Sequence, residues 1–219
     1  MAGIHIISRT TKPNKYMKIE TELVLPQWVS GDNLVKPEYI IGFYKSLGLD
    51  IGICYEDGEF QLFYWSLKGT CDPQGETERV ILGDVGVGDT LKLVATLEST
   101  SVVLKVYKSG RLKGTMTAPL TSRAISDFSN GCYINRELVI ASNAKGDYTP
   151  RNVYTYNAKF DNGKVTKVSG RTYSLNNSNS KISHELDPDD RYIKVSECKY
   201  ADCSDGYDWE KGSCDLNKK

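Results

Sequence analysis

Alternation with a period of two dominates the chain. From Tyr16 to Leu25 (YMKIETELVL), Met17, Ile19, Thr21, Leu23 and Leu25 fall on one side, and Lys18, Glu20 and Glu22 on the other. That is the pattern of a half-buried strand with a solvated second face. Thr90–Glu98 (TLKLVATLE) and Ser101–Lys108 (SVVLKVYK) repeat it as a hairpin joined at Ser99-Thr100, and Arg111–Thr117 follows after Ser109-Gly110. In Cys132–Ser142 (CYINRELVIAS), Tyr133, Asn135 and Glu137 share one face while Ile134, Leu138 and Ile140 share the other.

The stretch from Glu38 to Leu67 breaks the rule by being apolar on both faces. Its three runs are separated by Ser46-Leu47-Gly48 and by Glu56-Asp57-Gly58, which predicts a β-meander. Asp-Gly is a strong hairpin signal because glycine takes positive φ freely. Strands apolar on both sides are covered on both, or are covered on one and line a cleft on the other.

The remaining segments complete an antiparallel plan. Gly3–Ser8 reads as a short strand at a sheet edge, and Pro26–Pro37 as a long loop carrying Trp28, either a lid over the core or a ligand platform. Asp161-Asn162-Gly163 is read as a turn between strands 152–160 and 164–168. Pro119–Gly131 has the one trace of helix, 171–185 is a polar surface excursion, and Arg191–Glu197 is a last strand. The glycine-spaced GDVGVGD (83–89) precedes no helix and so lacks the N–H groups that cradle a phosphate. With no long 3.6-residue period, the expected fold is all-β: an antiparallel two-sheet jelly-roll sandwich. Residues 1–197 are expected to form this domain and 198–219 a cysteine-rich C-terminal extension.

Composition narrows the function. The 219 residues carry 28 basic and 28 acidic side chains, so a broad electrostatic footprint for nucleic acid is not expected. No apolar run approaches the roughly 20 residues of a membrane-spanning helix. Six cysteines, at 54, 71, 132, 198, 203 and 214, fit a secreted domain with disulfide bonds, a Cys54–Cys71 bridge among them, or else a set of free buried thiols. The start, Met1-Ala2-Gly3, shows no signal peptide, and the extracellular reading takes one to have been removed. Asn176-Asn177-Ser178 is a glycosylation sequon in a polar loop.

GDTLKLVATLESTSVVLKVYKSGRLKGTM (Gly88–Met116), with YNAKFDNGKV (Tyr156–Val165) later in the chain, resembles the back-sheet and closing strands of the concanavalin A-like lectin/glucanase jelly rolls. The resemblance covers the first three-quarters of the chain and is one of pattern. It implies two curved antiparallel sheets with ligand bound on the concave one. The Glu-x-Asp-x-x-Glu strand of the retaining glucanases is absent.

Glycan recognition needs flat aromatic faces and side chains that fork hydrogen bonds onto hydroxyls. Tyr44, Gln61, Trp65, Tyr133, Asn135, Tyr154 and Tyr156, with Glu137, lie on expected strands where one face can hold them all. A secreted glycan-binding protein is therefore expected. The alternatives are a non-catalytic interaction module and a polysaccharide-cleaving enzyme, hydrolase or lyase, with Glu137 as acid or base. Glycoside hydrolysis needs a second carboxylate, for which Glu59 and Glu20 are candidates. His5 and His184 are the only histidines and show no metal-ligand spacing. Asp202, Asp205, Asp208 and Glu210 are dense enough in oxygen for Ca²⁺, but no motif supports it, so no cofactor is expected.

Overall fold

The computed structural model describes residues 2–13, 15–73, 79–142, 152–184 and 200–216. Two antiparallel sheets pack face to face, as the alternation predicts. The first holds β1 (Ala2–Thr11), β4 (Val35–Tyr44), β5 (Gly48–Glu56), β6 (Glu59–Ser66), β7 (Val80–Ile81), β11 (Tyr133–Ser142) and β14 (Ser180–Ser183), in the order β14-β1-β11-β4-β5-β6-β7. The second runs β10 (Arg111–Pro119), β9 (Ser101–Lys108), β8 (Thr90–Leu97), β2 (Tyr16–Val24), β12 (Tyr154–Lys167), β16 (Glu210–Asp215) and β15 (Tyr200–Asp205). Short strands β3 (Trp28–Ser30) and β13 (Thr172–Ser174) also pair with β12. The meander is β4-β5-β6, and the helical trace is α1 (Ser122–Phe128), capped by the Thr121 hydroxyl accepting from Ala124 N–H at 3.2 Å.

One continuous apolar core lies between the sheets, drawing Ile41, Phe43, Ile51, Ile53, Leu62, Ile134, Leu138 and Ile140 from the first and Ile19, Leu23, Leu91, Leu93, Leu104, Val106 and Phe160 from the second. A separate small cluster, Ile40, Cys54, Phe63, Val139 and Ala141, is buried on the far face of the first sheet. The meander therefore has two covered faces, which accounts for its two-sided hydrophobicity.

Several local expectations change. β1 is not an edge strand: β14 pairs outside it. Asp161-Asn162-Gly163 is not a turn, because β12 runs through it. Phe160 and Val165 are both fully buried yet five positions apart, so strict alternation would turn one of them outward. A bulge restores the phase: the register shifts between Asp161 and Lys164, and Asn162 takes φ 48°. Residues 198–219, expected as an appended extension, supply β15 and β16 of the second sheet. Their inward positions are Glu210, Gly212 and Cys214, which carry no hydrophobic signal; Gly212 is required because a Cβ there would stand 2.7 Å from Ile6.

The expected Cys54–Cys71 bridge does not form. Cys54 lies on the far face of the first sheet, where Arg79 donates to its sulfur at 3.0 Å, whereas Cys71 belongs to the inter-sheet core. Cys132 and Cys203 are likewise free thiols. The strand expected at Arg191–Glu197 lies outside the described residues.

Among the described residues, a charged centre lies in the core. Arg9 from β1 and Arg136 from β11, both essentially unexposed, converge on Glu210 of β16. The Arg136 guanidinium reaches Glu210 Oε2 at 2.7 Å, donates to Thr21 Oγ1 at 2.7 Å and lies 5.6 Å from the Phe160 ring centre. Arg9 also donates to Asn177 Oδ1 (2.9 Å), Ser180 Oγ (3.0 Å) and the Gly206 carbonyl (2.9 Å). Removing one member of a buried ion network strands the others without compensation. Glu210→Gln is expected to destabilise the chain by about 3–5 kcal/mol, read as a lowered midpoint in urea unfolding; a loss below about 1 kcal/mol would refute the network's role.

Candidate active site

The far face of the first sheet carries the polar constellation. Arg136 and Leu138 are drawn into the core, so Asn135 and Glu137 point the opposite way. Register places Glu137 beside Ser8 and Ile40, and Asn135 beside Thr10 and Gly42. One strand further, Gly42 pairs with Asp50, and Asp50 with Trp65. Glu137, Asn135 and Asp50 are all less than a tenth exposed.

Glycines open the middle of this face. The Tyr44 ring folds back flat over the backbone: a Cβ on Gly42 or on Gly48 would stand 2.3 Å from it. The Tyr44 hydroxyl donates to Asp50 Oδ1, and that oxygen lies 3.1 Å from where a Gly42 Cβ would be. The Asp50 carboxylate thus sits over β4, about one strand spacing, ~5 Å, from the β11 backbone that carries Asn135 and Glu137. On the β11 side the Asn135 amide donates to Glu137 Oε1 while Thr10 Oγ1 donates to Asn135 Oδ1 at 3.2 Å. Burial, then the negative charges of Asp50 and Glu137, push the Tyr44 phenol well above its ordinary value. It remains a proton donor, aimed at Asp50.

Two carboxylates on one face, each accepting from a neutral donor, are groups able to take up and give protons. Asp50 was not singled out by the sequence. The available signal was the face Asp50-Gly52-Cys54, small and polar against Leu49, Ile51 and Ile53 on the other side of β5. The expected partners of Glu137 lie elsewhere. Glu59 is exposed at the β5–β6 turn. Glu20 belongs to the second sheet, where Lys18 at 2.7 Å and Lys92 at 2.8 Å hold its carboxyl down to about 2.

Of the expected ligand-binding residues, Tyr44, Gln61, Trp65, Tyr133 and Asn135 do share the far face of the first sheet. Gln61 stands away from the carboxylates and donates to the Glu56 carbonyl at 3.4 Å. Tyr154 and Tyr156 do not join them: they are on β12, in the other sheet. His184 Nε2 lies 2.6 Å from Asp205 Oδ1, apart from Glu137 and Asp50. Among the described residues no group of three His, Cys, Asp or Glu side chains is placed to hold a metal ion.

Beside the carboxylate pair on the same face, Glu38 is fully buried with no hydrogen-bond partner for either carboxyl oxygen. It stands between Val139 and Cys54 in register. Burial raises its carboxyl to about 8, against the opposing pull of Lys36 and Arg79.

The architecture has relatives among solved structures. A scytalido-glutamic peptidase with a transition-state analogue inhibitor superposes with a TM-score of 0.62 and 16% identity, over 98% of either chain. SCP-B, a member of the eqolisin family of peptidases in complex with the tripeptide Ala-Ile-His, superposes at 0.58 and 16% identity, over 97% of this chain and 98% of its own. A homodimeric agglutinin from chicken liver aligns at 0.37 and 12% identity, over 62% of this chain and 95% of its own. No family model matches the sequence, and no curated sequence matches it. At this identity, the full-length superpositions establish a shared two-sheet fold.

Glu38 makes the stability of this face depend on pH. In the unfolded chain its carboxyl ionises near the ordinary 4.5, but in the fold only near 8. Folding is therefore unpenalised below 4.5 and increasingly penalised as pH climbs towards 8. Glu38→Gln is expected to stabilise the chain at pH 8 by on the order of a few kcal/mol and to leave it unchanged at pH 4. Urea unfolding at the two pH values checks this, and equal effects at both would contradict it.

Proposed function

We propose that the chain is a peptide hydrolase that works with the carboxylate pair Glu137 and Asp50. The observation that carries this reading is the placement of the two carboxylates on one face of the first sheet, on strands either side of Gly42, where the Tyr44 ring lies between them. The full-length likeness to peptidases whose name refers to glutamic acid, and whose solved structures hold peptide-based ligands, supports a peptide rather than a glycan as substrate.

The proposed chemistry uses one ionised and one neutral carboxyl group, Glu137 as base and Asp50 as acid. Ionised Glu137 takes a proton from a water as its oxygen bonds to the scissile carbonyl carbon. Neutral Asp50 gives its proton to the carbonyl oxygen, which becomes a hydroxyl. When the tetrahedral intermediate collapses, the C–N bond breaks, the amine nitrogen leaves with the proton held by Glu137, and the hydroxyl proton returns to Asp50. The Asn135 amide holds Glu137 in place, and the Tyr44 hydroxyl holds Asp50 over Gly42. An extended substrate laid across this face meets a floor of backbone and ring, with Tyr133 and Trp65 at its sides.

Incubation with a mixed peptide library and mass-spectrometric analysis of the products tests the reading. Wild-type chain is expected to cleave peptides, and faster in acid than in alkaline solution, because the proposed step needs a protonated carboxyl group. Glu137→Gln and Asp50→Asn are each expected to lower kcat at least about a thousandfold with unfolding midpoints unchanged or raised. Cleavage of a polysaccharide panel instead of peptides, or peptide cleavage indifferent to both substitutions, would overturn the proposal. Tyr44→Phe keeps the ring but frees Asp50. It is expected to move the pH–rate profile, whereas a purely packing role would leave the profile in place.

A further inference from the structure

The second sheet carries an aromatic platform that the proposed hydrolysis does not use. β3 places Trp28 beside Tyr156 of β12 and Ser30 beside Tyr154, and on the other flank Tyr154 stands beside Asp215 of β16. Their sequence neighbours point into the core: Val29, Thr155 and Cys214 are buried, and the Tyr39 and Thr155 hydroxyls meet at 3.0 Å between the sheets. Trp28, Tyr154, Tyr156 and Asp215 therefore share the outer face. Trp28 is 67% exposed. The two tyrosine rings are 5.9 Å apart at 49°, and Tyr156 is fixed by donating to Asp215 Oδ2 at 2.6 Å.

The backbone is shaped to hold this row. Asn157 adopts φ 63°, in the left-handed region, at a register shift between Thr155 and Ala158, and its N–H donates to Ser213 Oγ at 3.0 Å. A bulge there interrupts regular pairing immediately beyond Tyr156, the kind of local re-aiming found beside functional sites. On the other side the Gln27 N–H donates to the Tyr156 carbonyl at 3.2 Å and keeps the Trp28 strand attached.

We propose that this row binds a neutral glycan chain. Exposed aromatic surface in a cluster is a mark of a binding face. Its chemistry selects the partner. The rings offer flat π-faces to sugar C–H groups, while two phenol hydroxyls and the Asp215 carboxylate offer hydrogen bonds to sugar hydroxyls. The charge set into the row is negative, which disfavours anionic polysaccharides and phosphate backbones. The row is polar-edged, without an exposed aliphatic side chain among its members, unlike the apolar core of a protein–protein interface. This site is separate from the carboxylate pair and stands whether or not that pair hydrolyses peptides.

Isothermal titration with hexasaccharides of glucose, N-acetylglucosamine, xylose and mannose, with heparin fragments as the anionic control, tests it. At least one neutral hexasaccharide is expected to bind, with Trp28→Ala weakening it about tenfold or more. Tyr156→Phe, which keeps the ring but loses the bond to Asp215, is expected to weaken binding severalfold. Glu137→Gln is expected to bind as wild type, and Trp28→Ala to retain whatever peptide hydrolysis the wild type has. Absence of binding to every neutral glycan, tighter binding of heparin, affinity indifferent to both ring substitutions, or a dimer in sedimentation that Trp28→Ala dissolves would each overturn the proposal.

Discussion

Two buried arginines meeting one buried glutamate hold the sandwich in register. An apolar interface between two sheets is forgiving, since aliphatic side chains repack when one layer slides on another. A guanidinium withdrawn from water has no such freedom and needs its partners in place. Arg9 and Arg136 come from adjacent strands of the first sheet, while Glu210 comes from β16 of the second. The chain's last strands are thereby fastened to its first. The same contact aims the candidate active site: Arg136 lies between Asn135 and Glu137, and its attachment inwards turns both neighbours outwards.

The far face of the first sheet shows how glycine makes room for a polar group inside a well-covered protein. Ile40, Cys54, Phe63, Val139 and Ala141 are buried there at one end. At the other, Gly42 and Gly48 remove side chains where Tyr44 must lie flat. Glycine in mid-strand weakens a sheet and is retained where something must approach the backbone closely. Here the approaching group is the protein's own tyrosine, and with it comes the Asp50 carboxylate.

Much of this was legible in the sequence. The meander, the Thr90–Lys108 hairpin and the two faces of Cys132–Ser142 follow from alternation, and Glu137 was visible as a polar residue grouped with Tyr133 and Asn135. Asp50 was hidden because its own run reads as hydrophobic and its partner position is a bare glycine on another strand. β16 was hidden because its inward residues are Glu210, Gly212 and Cys214, whose reason for being inside lies with Arg9, Arg136 and Ile6, more than 70 positions away in the sequence. The bulge at Asn162 was hidden for a related cause: Asn-Gly signals a turn locally, and only the demand to keep Phe160 and Val165 inside converts it into an irregular strand, while the bulge at Asn157 falls within the run 152–160 that reads as one strand. Tyr154 and Tyr156 were recognised as outward aromatics, but their sheet was not.

Adjacent placement of Arg136 and Glu137 on one strand has a consequence for how errors propagate. A slip of β11 by a single residue exchanges its two faces. It would bury Glu137 against Glu210 and turn Arg136 to the far face, so the fault that takes the candidate site apart also dissolves the clamp between the sheets. Such a chain has no inactive but well-folded form to populate. The clamp and the candidate site stand or fall with the same alternation.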